Sequence, residues 1–131
     1  MKWVLDTNTC VYALKLQGRV AAHMRERSPD DLGVTIITVA ELWFGARKSA
    51  RAVATRRQID AFLEPIGVLP FDRDAAEAYA EIRLALERVG RPIGERDMLI
   101  ASIASARNLS VVTHNLSEFS RVPHLKTEDW L

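Results

Sequence analysis

Four short apolar runs are separated by longer stretches with helical periodicity, and this alternation constrains the fold more than any other feature of the chain. Residues 2–6 (KWVLD), 34–37 (VTII), 68–71 (VLPF) and 109–113 (LSVVT) contain no apolar–polar alternation. A strand without a polar face cannot turn one side to water, so both faces must be covered. The intervening segments are long enough to be helices that return the chain to the same edge of a sheet. The pattern therefore predicts an α/β fold with a parallel sheet between helices.

The remaining elements follow from local chemistry. Asn8 or Thr9 is expected to cap a helix starting near Cys10, with Val11, Leu14 and Val20 facing the core. RSPDDLG, residues 27–33, reads as a turn cluster. After the second strand a helix is expected from Thr38, followed by another helical segment to about Glu64 that buries Ile59, Phe62 and Leu63 and is stopped by Pro65 and Gly67. Residues 73–89 form the clearest helix, with Ala75, Tyr79, Ile82, Leu86 and Val89 on one side and Glu77, Glu81 and Arg88 on the other. GRPIGERD leads into a helix over 95–107, which Asn108 ends. HNLSEFSRVPHL is irregular or briefly helical, and Trp130 is expected to fasten the closing KTEDWL by packing. No linker or repeat divides the 131 residues, so residues 1–131 are read as one domain.

Composition excludes some functions. Cys10 is the only cysteine, which rules out an intrachain disulfide, and it is expected to pack as a small hydrophobe. The opening residues lack the apolar stretch of a signal peptide, and no segment has the roughly 20 apolar residues that span a bilayer. A cytoplasmic location without membrane contact is the simplest expectation. Net charge is only +1, yet nine Lys/Arg face four Asp/Glu between Lys15 and Arg57. Such an excess suits either a phosphate backbone or a solvated helix face.

The chemistry-bearing residues are acids at equivalent corners. In open α/β sheets, functional groups collect beyond the carboxyl ends of the strands. Asp6 ends the first strand, Glu41 lies one turn into the helix after the second, Asp97 stands in the first turn after GRPIG, and Glu118 follows VVT through a short loop. Each also admits a plainer role. Glu41 completes a capping box with Thr38, Asp97 suits a helix N-terminus, Asp6 can accept loop hydrogen bonds, and Glu118 can pair with Arg121. Four such placements on one rim point together to a shared site.

Clustered carboxylates repel one another and raise one another's pKa, a problem that a hard divalent cation removes. Magnesium, with manganese as the alternative, prefers such oxygen ligands. His23, His114 and His124 lack the spacing of a zinc site. A bound ion would acidify a water and neutralise a phosphodiester under attack, so no side-chain nucleophile is required. Thr7, Asn8, Thr113 and Asn115 are placed to orient these groups by hydrogen bonding.

LDTN around Asp6, TVAELWFGA around Glu41, RPIGERDMLIASIA around Asp97 and VVTHNLSEFSRV through Glu118 together resemble a PIN domain. More narrowly, the chain looks like a VapC-type toxin of a toxin–antitoxin pair, over essentially its whole length. The resemblance implies a three-layer α/β/α fold and a metal-dependent endoribonuclease. It further implies a homodimer inhibited by a VapB-type antitoxin. Asp6, Glu41 and Asp97 match the family's first three catalytic, metal-binding acids. Glu118 occupies the more variable fourth position, where many relatives have Asp. Asn8 and the Thr113-His114-Asn115 segment match polar positions of the motifs. Transfer RNA is a frequent substrate of such relatives.

Arg47, Lys48, Arg51, Arg56 and Arg57 are candidate RNA phosphate contacts, as are Arg91 and Arg96 near Asp97. Trp43 and Phe44 are adjacent, so at most one can point fully into the core of its own chain. The competing readings are a PIN-like nuclease of RNA maturation or DNA cleavage, a non-enzymatic nucleic-acid-binding module, and an antitoxin-like transcription regulator. The regulator is disfavoured, because the chain offers no separate DNA-binding domain or basic ribbon.

Overall fold

Side chains of successive strand residues leave a sheet on opposite faces, and here both directions lead into apolar cores. The computed structural model describes residues 1–131. In its first strand, β1 (Trp3–Leu5), Val4 enters one core and Leu5 the other. In β4 (Ser110–Val112), Val111 and Val112 divide in the same way. Each core holds 14 buried residues, so neither face is left to water. That division makes the molecule a three-layer α/β/α sandwich.

The other strands are β2 (Leu32–Thr35), β3 (Gly67–Leu69) and β5 (Thr127–Glu128), and the sheet order is β3-β2-β1-β4-β5. All four pairings are parallel, with Val4 beside Gly33 on one side and Val111 on the other. The chain leaves β1 for β2 on one side and later places β4 on the opposite side. A crevice opens at such a switch point, at the carboxyl ends of the strands.

Helices α1 (Thr7–Leu14), α2 (Val20–Arg25), α3 (Ile36–Lys48) and α4 (Ala52–Leu63) build one outer layer, and α5 (Arg73–Arg88), α6 (Glu95–Ala106) and the short α7 (Leu116–Phe119) build the other. From α3, Val39, Leu42 and Ala46 recur at spacings of three and four and supply its buried stripe. Helix α6 is buried at Met98, Ile100, Ala101, Ser102, Ile103 and Ala104, because the sheet and α5 enclose it. No helix is long and apolar enough to cross a membrane. Cys10 is fully buried, and burial pushes its thiol pKa far up, so it packs as a hydrophobe.

Several local expectations are corrected. Helix α1 begins at Thr7 and is capped by Asp6, not by Asn8 or Thr9, because the Asp6 carboxylate reaches the Thr9 N–H at 2.9 Å. Val20 belongs to the separate α2, since Leu16 and Gly18 take positive φ and break the path. Gly18 is required twice over: a Cβ there would also collide with the backbone of Leu131. Strand β2 spans 32–35 and α3 starts at Ile36, so Thr38 is not a cap and no capping box with Glu41 forms. The Thr35 hydroxyl accepts from the Thr38 N–H instead. The third strand lies at 67–69 rather than 68–71. Val89 follows α5 and is exposed. Residues 127–128 add a fifth strand that the sequence reading did not anticipate.

The C-terminus is fastened as expected. Trp130 is buried with its ring edge-on to Trp3 at 5.7 Å, and both indole N–H groups donate to the Glu128 carboxylate. Neither Trp43 nor Phe44 is buried: the two project from α3 into solvent.

Candidate active site

Each acid reaches the carboxyl edge of the sheet by a separate route. Asp6 follows β1 directly; its N–H donates to Val112 O at 3.0 Å and continues the pairing with β4. Its Oδ1 is held by the Thr9 N–H, and the residue is 4% exposed. One atom group therefore ends the strand, starts the helix and presents a negative charge at the switch point. Helix α6 leads into the start of a parallel strand, so its N-terminus must lie at the opposite, carboxyl edge. That geometry places Asp97, in the first turn of α6, beside the other acids.

Glu41 lies in the second turn of α3 and faces α1. Its Oε1 accepts the Thr7 hydroxyl at 2.9 Å, while Oε2 is 3.8 Å from Arg96 Nε. The Arg96 side chain is 71% exposed, so this long contact adds little stability. On the far side of the crevice, Asn115 joins the last two acids. Its Nδ2 donates to Glu118 Oε2 at 3.0 Å and lies 3.4 Å from Asp97 Oδ2. Its Oδ1 accepts from the Ser117 hydroxyl, and its N–H donates to Thr113 Oγ1. These bonds fix the amide with its donors toward the acids.

The charges are felt across the whole cluster. The Asp97 carboxyl is pushed up to about 7, first by its burial, then by contact with Glu118 and by the charges of Asp6, Glu118 and Glu41. All four acids thus lie within electrostatic reach of one point. A cleft of about 570 Å³ opens there, lined by Glu41, Gly94, Glu95, Arg96 and Asp97. No three acidic, histidine or cysteine side chains stand together as a group that could hold a metal ion. The donor set still suits magnesium, which keeps several waters and needs only one or two carboxylates.

Other sequence candidates are dispersed. Asn8 is exposed on the first turn of α1 and makes no side-chain hydrogen bond. Arg47, Lys48, Arg51 and Arg57 are exposed on the α3–α4 side, and Lys48 lies over the Phe44 ring. Arg56 is already engaged: its Nε donates to both Asp60 oxygens, and its guanidinium covers Trp43 at 3.7 Å. Trp43 in turn donates to Asp60. Arg91 is exposed in the loop before α6.

Two positions near the acids carry no motif of their own in the sequence. Gly94 has φ −56°, which any residue adopts, and an added Cβ would meet only Asp97 Oδ2 and Glu118 Oε2, at 3.8 and 3.9 Å. Its smallness leaves room over the acids; the available signal was a glycine at a helix start that no turn requires. Thr38 looks like a cap in the sequence, whereas its buried hydroxyl meets Thr7. A second groove, of about 510 Å³, runs from Thr7 and Glu41 past Val11, Leu42 and Ala46 to Ile59.

Comparison with known proteins agrees with this fold. The family model described as PIN domain matches residues 3–125. A tRNA(fMet)-specific endonuclease VapC of Shigella flexneri is 40% identical over 133 residues, covering 99% of this chain and 98% of that protein. The protein of the same name from Salmonella typhimurium is 38% identical with the same coverage. A crystal structure of DNA-bound VapBC from Salmonella typhimurium superposes with a TM-score of 0.95 at 36% identity, covering 100% of this chain and 99% of that one.

Proposed function

Since the chain belongs to the PIN-domain family and is similar to its VapC-type nucleases over its whole length, we propose that it is a metal-dependent endoribonuclease toxin that cuts structured RNA. The observation that carries this reading is the grouping of acids around Asp97: it shares a cleft with Glu41, and its burial together with Glu118, Asp6 and Glu41 lifts it to about 7. The Asp6 cap and the long, exposed Arg96–Glu41 contact leave most of this negative charge unbalanced, and a hard divalent ion would supply the counterweight.

Asp6 and Asp97 would hold the ion, with Glu41 and Glu118 completing its oxygen surroundings. A magnesium or manganese ion bound there would acidify a water and neutralise charge on the phosphodiester. The residues of the chain do the positioning. The Thr9 N–H fixes Asp6, the Thr7 hydroxyl fixes Glu41, and Asn115 keeps Glu118 and Asp97 together despite their repulsion. Arg96, at the mouth of the cleft, leaves Glu41 for an RNA phosphate at small cost, since its present contact is long and exposed.

Transfer RNA is the leading substrate, in keeping with the names of the two enterobacterial relatives. Arg47, Lys48, Arg51 and Arg57 supply phosphate attraction, while discrimination requires loop bases and RNA shape. A VapB-type antitoxin neutralises the enzyme. The half-apolar groove from Glu41 to Ile59 suits the apolar face of an antitoxin helix, whose polar end would then reach the acids. A homodimer is part of this reading and rests on the likeness to VapC-type proteins.

The test is incubation of total RNA with purified protein in magnesium or manganese, with Asp6→Asn as matched control and end mapping of the products. A small set of discrete cuts, led by transfer RNA and abolished by EDTA, is expected. Absence of wild-type-specific RNA products in either metal overturns the proposal. Selective cutting of DNA instead keeps the metallonuclease and changes its substrate.

A further inference from the structure

Thr38 is fully buried in α3, and its hydroxyl has one partner, the Thr7 hydroxyl at 3.1 Å. Thr7 is also bonded to Glu41 Oε1 at 2.9 Å. Counting protons settles the direction of this chain. A carboxylate supplies none, so the single Thr7 proton must go to Glu41. The Thr7–Thr38 contact is then filled only by the Thr38 proton. The order is Thr38 to Thr7 to Glu41, each hydroxyl donating once.

Packing gives no reason for this hydroxyl. Valine has nearly the same volume, and its neighbours on the buried stripe of α3, Val39 and Leu42, are apolar. A buried hydroxyl is costly unless it is bonded, and this one is bonded toward the cleft. We infer that Thr38 is a positioning residue for Glu41, acting through Thr7. Its proton occupies one lone pair of Thr7 Oγ1 and thereby turns the Thr7 proton toward Glu41. With Oε1 held, Oε2 is left facing the cleft, where Arg96 now stands. Without Thr38 the Thr7 hydroxyl is free to rotate, and the glutamate loses its fixed partner. This inference rests on the metallonuclease reading, in which Glu41 belongs to the oxygen surroundings of the ion.

Supporting residues beyond the ligands commonly change metal affinity or activity by about 10- to 100-fold, and one step further out a smaller effect is expected. Mn²⁺ binding to full-length protein without RNA, read by the EPR signal of free Mn²⁺, separates positioning from cleavage. Thr38→Val should bind Mn²⁺ about three- to tenfold more weakly. It should lower kcat by a similar factor with KM for RNA unchanged, and Thr38→Ser should restore both. Because Thr38 acts through Thr7, the double variant T7V/T38V should be no worse than Thr7→Val alone. Unchanged Mn²⁺ affinity and kcat in T38V overturn the inference alone, as does full additivity of the two losses. If T38V does not fold, the serine variant decides: loss of Mn²⁺ affinity in folded T38S, which keeps the hydroxyl, overturns it. Wild-type protein that binds no Mn²⁺ overturns the metallonuclease reading, and this inference with it.

Discussion

Asparagine in place of Asp97 should make the metal-free protein more stable, and the gain should depend on pH. In the folded chain this carboxyl is pushed from 3.8 to about 7, by burial first and then by Glu118, Asp6 and Glu41. A gap of about three units corresponds to about 4 kcal/mol if fully expressed. The group is only half-buried, so screening reduces this to about 1–2 kcal/mol. Between pH 4 and 7 the folded state keeps a proton that the unfolded chain has lost, so stability falls as pH rises and the penalty is complete above 7. Asparagine carries no charge and offers Glu118 an amide donor. Urea denaturation in EDTA should therefore show D97N more stable at pH 8 by about 1–2 kcal/mol, or about 4–7 °C in Tm, with the difference vanishing near pH 4. Added Mg²⁺ should then raise the stability of wild type and leave D97N unmoved. A D97N protein no more stable than wild type at pH 8, or a gain independent of pH, would refute the reasoning.

Asp6→Asn keeps the helix cap, because an asparagine oxygen also accepts the Thr9 N–H; cleavage should drop by about 100-fold or more while Tm changes by less than about 3 °C. Gly94→Ala meets no backbone conflict but fills the space over Asp97 and Glu118, so RNA cleavage should fall about tenfold in a protein that melts within about 3 °C of wild type. Wild-type turnover in G94A would show that this space is not used. Arg57→Ala should weaken RNA binding and reduce the slope of log K against log salt by about one. Arg56→Ala should change that slope less, because Asp60 and Trp43 already occupy its guanidinium.

The layers of the fold and the four acids were legible in the sequence because both depend on coarse regularities. Apolar runs without alternation announce covered strands, and a parallel sheet has one edge where loops carry function. What was missed depends on single atoms. The Asp6 side chain, rather than Asn8 or Thr9, caps α1, which only the reach from Oδ1 to the Thr9 N–H decides. At Thr35-Ile36-Ile37-Thr38 two hydroxyls compete for one cap, and β-branched residues blur where the strand ends. The Thr38–Thr7–Glu41 chain joins residues on two helices 31 and 34 positions apart, and no local pattern encodes it. Strand β5 has two residues and is defined by its neighbour β4, not by its own composition.

The central strand β1 is also the first to be synthesised, and one of its two neighbours comes very late. Leu5 pairs with Val112, and Asn115 and Glu118 follow only after that. During translation, half of the crevice therefore has no opposite wall until β4 and α7 emerge. Closing so distant a contact is intrinsically slow. A ribosome carrying an unfinished chain displays Asp6 and Glu41 without the acids that face them. The order of the strands thus delays assembly of the acid-lined crevice until β4 and the turn of helix after it have been made.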